Sequence, residues 1–366
     1  MPEGKAGFGE RLRRALAAGT ALPSALAVAS ALALGFVVIA LTGKDAAGGY
    51  ARMLDGALGG PEALGETGVK AAVLACTGLS VALAFVVGLF NIGAEGQFIA
   101  GALGAAVAGA SVRLPGPLHV PFALGCAAAA GALPALAATW LKAKRGVHEV
   151  ISTILLNWVV IYLVHDWLVV GPLRAPSSGA NVSASGTAQI FASAELPRLL
   201  EGSRLDVGLP LAVAFALLAW LLLGRTALGY ELRAVGANAE AARAAGVPVA
   251  RRLYLAMALS GALAGVGGAL LILGTERRYP GVFRTGYGFD GIAVALVGGA
   301  HPLGVLAAAF FFGAMRAGAT RLQLVGIHPS FTELIQGLAV LFVAARPLFA
   351  ALAGALGRPP AGKGAP

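Results

Sequence analysis

The residues able to do chemistry in this chain are few, and they sit in short polar stretches between long apolar ones. Asn91, Glu95 and Gln97 fall within the stretch NIGAEGQ, directly beside an apolar run. Carboxamides and a carboxylate in such a place are costly unless they meet water, a solute or one another. Together they can donate to and accept from the hydroxyls and carbonyls of a polar solute. Gly93 and Gly96 permit backbone geometry closed to other residues, and the helix that follows offers unpaired N–H groups at its N-terminus. The residues alone leave two readings open, a solute path or a polar staple between helices.

Three further groups carry polar chemistry. His148-Glu149 is followed by Ser152, Thr153 and, further along the same helix, Asn157. Residue 152 is Ser, so the second His of a zinc-binding HExxH is missing; Ser152 or Thr153 is expected to open a helix and Asn157 to face inward. In the segment from Tyr230 to Pro248, Asn238 is expected to cap a short helix over 239–245, with Gly246 just past its end. A two-turn helix is marginal in water and needs a surface to dock on. That surface is either a soluble motor subunit or the bilayer, with Arg243, Arg251 and Arg252 on lipid phosphates. Asp290, His301, Glu333 and Gln336 complete the set; Glu333 and Gln336, three apart, are expected on one helix face, lining a cavity or bonded between helices.

The elements that must position these groups are membrane helices. Of 366 residues, 58% are hydrophobic and 12% charged, with mean hydropathy +0.82, against roughly 45–50% apolar in soluble domains. Apolar runs of about 20 residues, enough to cross the hydrocarbon core, recur near 21–42, 69–90, 98–112, 117–141, 152–171, 207–224, 253–274, 303–317 and 330–349, with a short Gly-rich piece at 290–300. The expected fold is all-α and polytopic, with about ten transmembrane helices. Lys5 and Arg11 to Arg14 resemble a signal peptide's charged start, but the run from Ala21 to Thr42 is long enough to be a retained helix.

Charge gives an orientation. The formal charge of +10 is carried in short clusters between spans, which fits anionic lipid and the positive-inside rule and not nucleic acid. The N-terminal tail (1–20), Lys142 to Arg145, the 225–252 segment and the C-terminal tail (350–366, with Arg346 just before it) would lie in the cytoplasm. The loops at 43–68 and 172–206 would lie outside, with Arg277, Arg278 and Arg284 as the exception. Both termini inside requires an even number of spans, so the 290–300 piece counts as a tenth. The Gly-, Ser- and Pro-rich 172–206 loop is either a passive tether or a cover for the outer mouth. Cys76 and Cys126 lie in apolar runs and read as small core residues.

A long-range likeness links the halves. NIGAEGQ at 91–97 and GYGFDG at 286–291 each place Gly and polar residues at the entrance of a short apolar piece, the pattern of discontinuous helices around a midplane transport site. Two motifs are discarded. The 357–364 stretch lacks the Ser or Thr and the setting of a phosphate-binding loop, and Gly261 with Gly265 means close helix packing without chemistry. No nucleophile triad or metal cluster is legible.

Four ordered stretches carry a family resemblance: Gly88 to Gln97 (GLFNIGAEGQ), His148 to Asn157 (HEVISTILLN), Leu232 to Val247 (LRAVGANAEAARAAGV) and Gly291 to Leu303 (GIAVALVGGAHPL). They resemble the motifs of nucleoside-type ABC importer permeases, within the larger branch serving ribose, other simple sugars and branched-chain amino acids. The resemblance implies a permease domain over 21–349 in the bacterial inner membrane. Its partners would be a second, related permease, two ABC ATPase subunits and an extracytoplasmic substrate-binding lipoprotein or periplasmic protein. It implies that Phe90, Asn91, Glu95 and Gln97, with Asn157 nearby, border the path of a nucleoside-like molecule. It also implies that Asn238, Glu240, Arg243 and Gly246 belong to a coupling helix. ATP and Mg would be bound by the partner; this chain would have neither cofactor nor catalytic group. A simple-sugar or ribose permease is the nearest alternative, and an ion-coupled transporter using Glu95, Asp290 and Glu333 a more distant one.

Overall fold

The computed structural model describes residues 21–175, 186–281, 283 and 286–345. The tails expected at 1–20 and 350–366, the residues 346–349 and the middle of the 172–206 loop lie outside these described residues. In hydrocarbon every backbone polar group must be satisfied internally, which leaves helices as the answer for apolar runs of this length. The chain accordingly forms α1 (Ala21–Leu41), α2 (Ala46–Leu58), α3 (Pro61–Val86), α4 (Ala94–Ser111), α5 (Gly116–Arg145) and α6 (Glu149–Tyr162). There follow α7 (Gly208–Arg225), α8 (Ala227–Ala237), α9 (Ala239–Ala244), α10 (Val249–Leu271), α11 (Tyr287–Val297), α12 (Pro302–Leu322) and α13 (Ser330–Ala344). Wider π-type turns extend α6 over Leu163–Leu168 and α10 over Ile272–Glu276. Among the described residues the extended pairings are two isolated bridges, Gly186 with Pro280 and Arg198 with Asp206.

Among the described residues seven helices are long and apolar enough to cross a membrane, and α11 and α13 are shorter apolar helices. A helix lies at each expected span, with shifted ends, although α4 at the expected 98–112 span is not among these seven. Helix α3 starts at Pro61, whose fixed φ and missing N–H suit a first turn. Helix α6 starts at Glu149, because His148, and neither Ser152 nor Thr153, occupies the cap; both hydroxyls instead bond back to the Glu149 carbonyl. The 43–68 stretch, expected as a loop, contains all of α2. Asp45 caps it through Gly48 N–H at 2.9 Å, and it buries Met53 and Ala57 as it packs on α12.

Helices α3 and α10 form the centre of the bundle, with 83% and 72% of their apolar windows buried. Helix α10 crosses α4 and α5 at backbone contact: a Cβ on Gly101 would lie 2.1 Å from the Cα of Gly265, and one on Gly131 2.4 Å from the Gly261 carbonyl. The Gly261–Gly265 pair thus does what small residues do at membrane crossings, letting backbones touch.

Candidate translocation site

The first polar stretch lies where α3 ends and α4 begins, and it folds into a closed hydrogen-bond network. Asn91 Nδ2 donates to Gln97 Oε1 at 2.8 Å and Gln97 Nε2 donates back to Asn91 Oδ1 at 3.0 Å. Asn91 also donates to Ser260 Oγ on α10 at 2.8 Å and accepts from Gly93 N–H. Ser260 donates to the Ser80 carbonyl of α3 at 2.7 Å. From α6, Asn157 accepts from Gly96 N–H at 2.7 Å and donates to the Ile92 carbonyl at 2.7 Å. Asn91, Gln97, Asn157, Ser80 and Ser260 are all buried, so the cost of enclosing them is offset by partners.

The two broken segments meet through one carboxylate. Glu95, in the first turn of α4 and 4% exposed, accepts from Gly286 N–H at 3.1 Å and Gly288 N–H at 2.6 Å. These N–H groups lie at the open end of α11, where a negative charge is favoured. Gly286 has φ +67°, and Gly288 lies so close that a Cβ would be 2.3 Å from the Glu95 backbone. Beside this contact Phe98 stacks on Phe283, centroids 6.0 Å apart, and meets Tyr287 at 5.8 Å.

Of the residues singled out above, the structure brings Asn91, Gln97 and Asn157 into one network, places Glu95 at the junction of the halves, and leaves Phe90 apart. Phe90 is 39% exposed and packs on Phe85, centroids 4.6 Å apart. Asp290 pairs with Arg316 of α12 at 2.8 Å, and that guanidinium lies 4.0 Å over the Tyr287 ring. Glu333 and Gln336 do not share an environment: Glu333 is exposed and Gln336 buried. His301 is exposed, just before Pro302. Ser80, Ser260 and Arg316 escaped sequence reasoning. The available signal was a lone hydroxyl or cation in the middle of an apolar run, weak for serines and strong for Arg316.

Where α8 passes into α9, Asn238 Oδ1 accepts from Glu240 N–H at 2.9 Å and Ala241 N–H at 3.0 Å. Helix α9 ends before Gly246, φ +85°, and rests on α8 and α10 through Ala242, Val235 and Val249. Glu240 and Arg243 are exposed. Gly236 of α8 touches the Val86 backbone, so this helical pair abuts the break between α3 and α4. Among the described residues no group of three or more His, Cys, Asp or Glu converges as a metal site.

Residues 64–344 match the family described as branched-chain amino acid transport system / permease component. The chain belongs to this permease family. Among curated relatives, it is similar to the guanosine ABC transporter permease protein NupP of Bacillus subtilis, 36% identical over 87% of this chain and 91% of that one. It is also similar to the glucose ABC transporter permease protein TsgB13 of Haloferax volcanii, 34% identical over 87% and 85% of the two chains. The nucleoside ABC transporter permease protein NupB of Lactococcus lactis is 31% identical over 88% and 90%. No solved structure gives a significant match. The permease is thus a multi-pass membrane protein whose broken segments, network and α8–α9 pair all lie within the family match.

Proposed function

We propose that this permease is the membrane-spanning subunit of an ATP-binding cassette importer and forms the translocation path for nucleosides. The observation that carries the reading is the likeness, along nearly the whole of both chains, to permeases named for guanosine and for nucleosides. In this reading two ATPase subunits dock on the α8–α9 pair, a second related permease completes the path, and an extracytoplasmic binding protein delivers the solute. Both termini face the cytoplasm. ATP and Mg are bound in the partner subunits, and this chain carries no catalytic site.

The broken segments supply the part that moves. Asn91 and Gln97 bond each other and Asn157 bonds the backbone of Ile92 and Gly96 in this closed arrangement, and opening would turn their carboxamides toward a solute's base edges and hydroxyls. Phe90 lies nearer the α8–α9 side and would meet a base or sugar face later along the path. Glu95 holds the two halves in register.

A second reading is favoured by one observation, the 34% identity to a permease named for glucose. Uptake by the full transporter reconstituted in liposomes separates the two. Labelled guanosine should accumulate only with ATP and binding protein, and excess glucose should not compete. Glucose uptake at comparable rates would replace the substrate assignment, and uptake that follows a proton gradient without ATP would overturn the importer reading.

A further inference from the structure

Helices α4, α5 and α6 leave a slot of about 750 Å³ between them, on the side of α6 away from the hydrogen-bond network. Its α4 wall runs from Ala100 to Val112 and its α6 wall from Leu156 to Leu168, which makes it about 18 Å long at 1.5 Å per residue. Averaged over that length it is about 40 Å² in section, about half that of a helix 10–12 Å wide. Apart from Ser111, no side chain on its lining carries an oxygen or a nitrogen. The slot opens sideways between α5 and α6. On its rim Phe122, Leu133 and Leu163 are 42%, 68% and 44% exposed, at a depth where the spans meet hydrocarbon.

One end of the slot carries a cation. Val112 completes the α4 wall, and Arg113 follows it, exposed. The Arg113 guanidinium lies 4.8 Å over the Phe191 ring, and Phe191 is fixed in turn by its N–H on the Gly109 carbonyl at 2.9 Å. Among the described residues Arg113 makes no ion pair, which leaves its N–H groups available. This end lies beside the 186–207 segment, the outer side in the orientation proposed above. Toward the other end, α6 turns Leu156 and Val160 to the slot and Asn157 to Gly96 and Ile92. The same helix thus separates the slot from the network.

Dimensions and charge choose the occupant. One leaflet contributes about 15 Å of hydrocarbon, half of the ~30 Å core, so the slot takes an acyl chain from the mouth to just beyond the midplane. Its walls offer nothing to a polar solute, and its section is too small for a helix of a neighbouring subunit. A guanidinium fork matches a phosphate, and a cation without a paired carboxylate favours a head group of net negative charge. We propose that the slot between α4, α5 and α6 binds an acyl chain of an anionic phospholipid whose phosphate rests on Arg113. The chain fills the space behind α6 and holds Asn157 against the backbone of Gly96 and Ile92, so that the lipid supports the network from outside. This site goes beyond the solute assignment and holds whichever solute is carried.

The test uses the full chain with its partner subunits in nanodiscs and, as probe, phosphatidylglycerol with a diazirine along one acyl chain. Peptide mass spectrometry locates the adducts. They should concentrate on Leu103 and Val160 of the slot and not on Leu217, Leu218 and Leu221, the exposed leucines of α7. Val107→Trp, which fills the slot, and Arg113→Ala should each lower the slot's labelling about fivefold, while Arg113→Lys keeps most of it. The matching phosphatidylcholine probe should label the slot about fivefold less, and excess inorganic phosphate should not compete, because the chain holds the head group in place. Phosphatidylglycerol should raise the melting temperature of the wild type and not of Val107→Trp. Labelling spread evenly over the slot and α7 would overturn the proposal. So would equal labelling by the two probes, a comparison made in the wild type that stands even where a variant fails to fold. A disulfide between Val107→Cys and a neighbouring subunit would give the slot to a protein partner instead. None of these outcomes bears on the importer reading, which the uptake assay tests separately.

Discussion

Glu95 gives its two oxygens to two N–H groups of the opposite half, and its substitution reaches both. A glutamine keeps the shape but only one accepting oxygen, so one buried N–H loses its acceptor, at about 1–3 kcal/mol. Glu95→Gln is expected to lower the melting temperature and slow uptake together. Gly288→Ala should be worse, because its Cβ would meet Glu95 backbone, which cannot give way as a side chain tip can. Wild-type uptake in Gly288→Ala would show that α11 is not held where the structure places it. A second residue-scale prediction concerns Asp206, outside the spans. Burial pushes its carboxyl up to about 6, although Gly208 N–H and nearby Arg198 favour the ionised form. A raised folded value means that its contribution to stability is present below the unfolded pKa of about 3.9 and is lost as pH rises through 6. Asp206→Asn, which keeps an oxygen for Gly208 N–H, should melt higher than wild type at pH 8, with the gap closing toward pH 4. A gap that is constant with pH would contradict this. The same scale shows what a linear reading reaches. Asn91, Gln97 and Asn157 stood out because amides beside apolar runs are costly, whereas Ser80 and Ser260 are separated by 180 positions and a single hydroxyl in a span is cheap enough to pass unnoticed.

Elements were legible where their signals are local. Helix α9 matches its reading almost residue by residue, since a capping Asn, an Ala-rich turn and a trailing Gly all act within a few positions. Removing that cap with Asn238→Ala should cost about 1 kcal/mol. Glu240 and Arg243 face outward, so replacing both with Ala should leave insertion and binding-protein affinity intact while ATPase activity no longer responds to the binding protein. Retained stimulation in the double variant would argue against a coupling role for α9. Helix α2 was missed because AAGGYARMLDGAL dilutes its apolar stripe with glycines and charged residues, so that its average hydrophobicity is low. Its helicity is set by Asp45 at one end and by α12 along its side, neither of which a hydropathy window contains.

At the scale of the whole molecule, helix directions and charge clusters together set which loops share a side. Single cysteines at Glu201 and Glu240, introduced after replacing Cys76 and Cys126 with Ala, test this in intact cells. An impermeant maleimide should label the first and not the second, and the reverse would invert the topology. The bundle's centre also limits how it can move. Helices α4, α5 and α10 touch backbone to backbone, so they have no side-chain layer to slide on. Opening is expected to occur around this block, at α11 and its flanking turns, where Arg277 and Ala300 are held at positive φ.

The carboxylate shared between the broken segments has a use beyond anchoring. Its antisymmetric stretch responds to hydrogen-bond number, and Glu95 gains or loses two donors at once when the halves separate. Isotope-edited infrared difference spectra, with a Glu95→Gln control to subtract the other glutamates, would turn that one side chain into an optical read-out of whether the two halves are engaged at each stage of turnover.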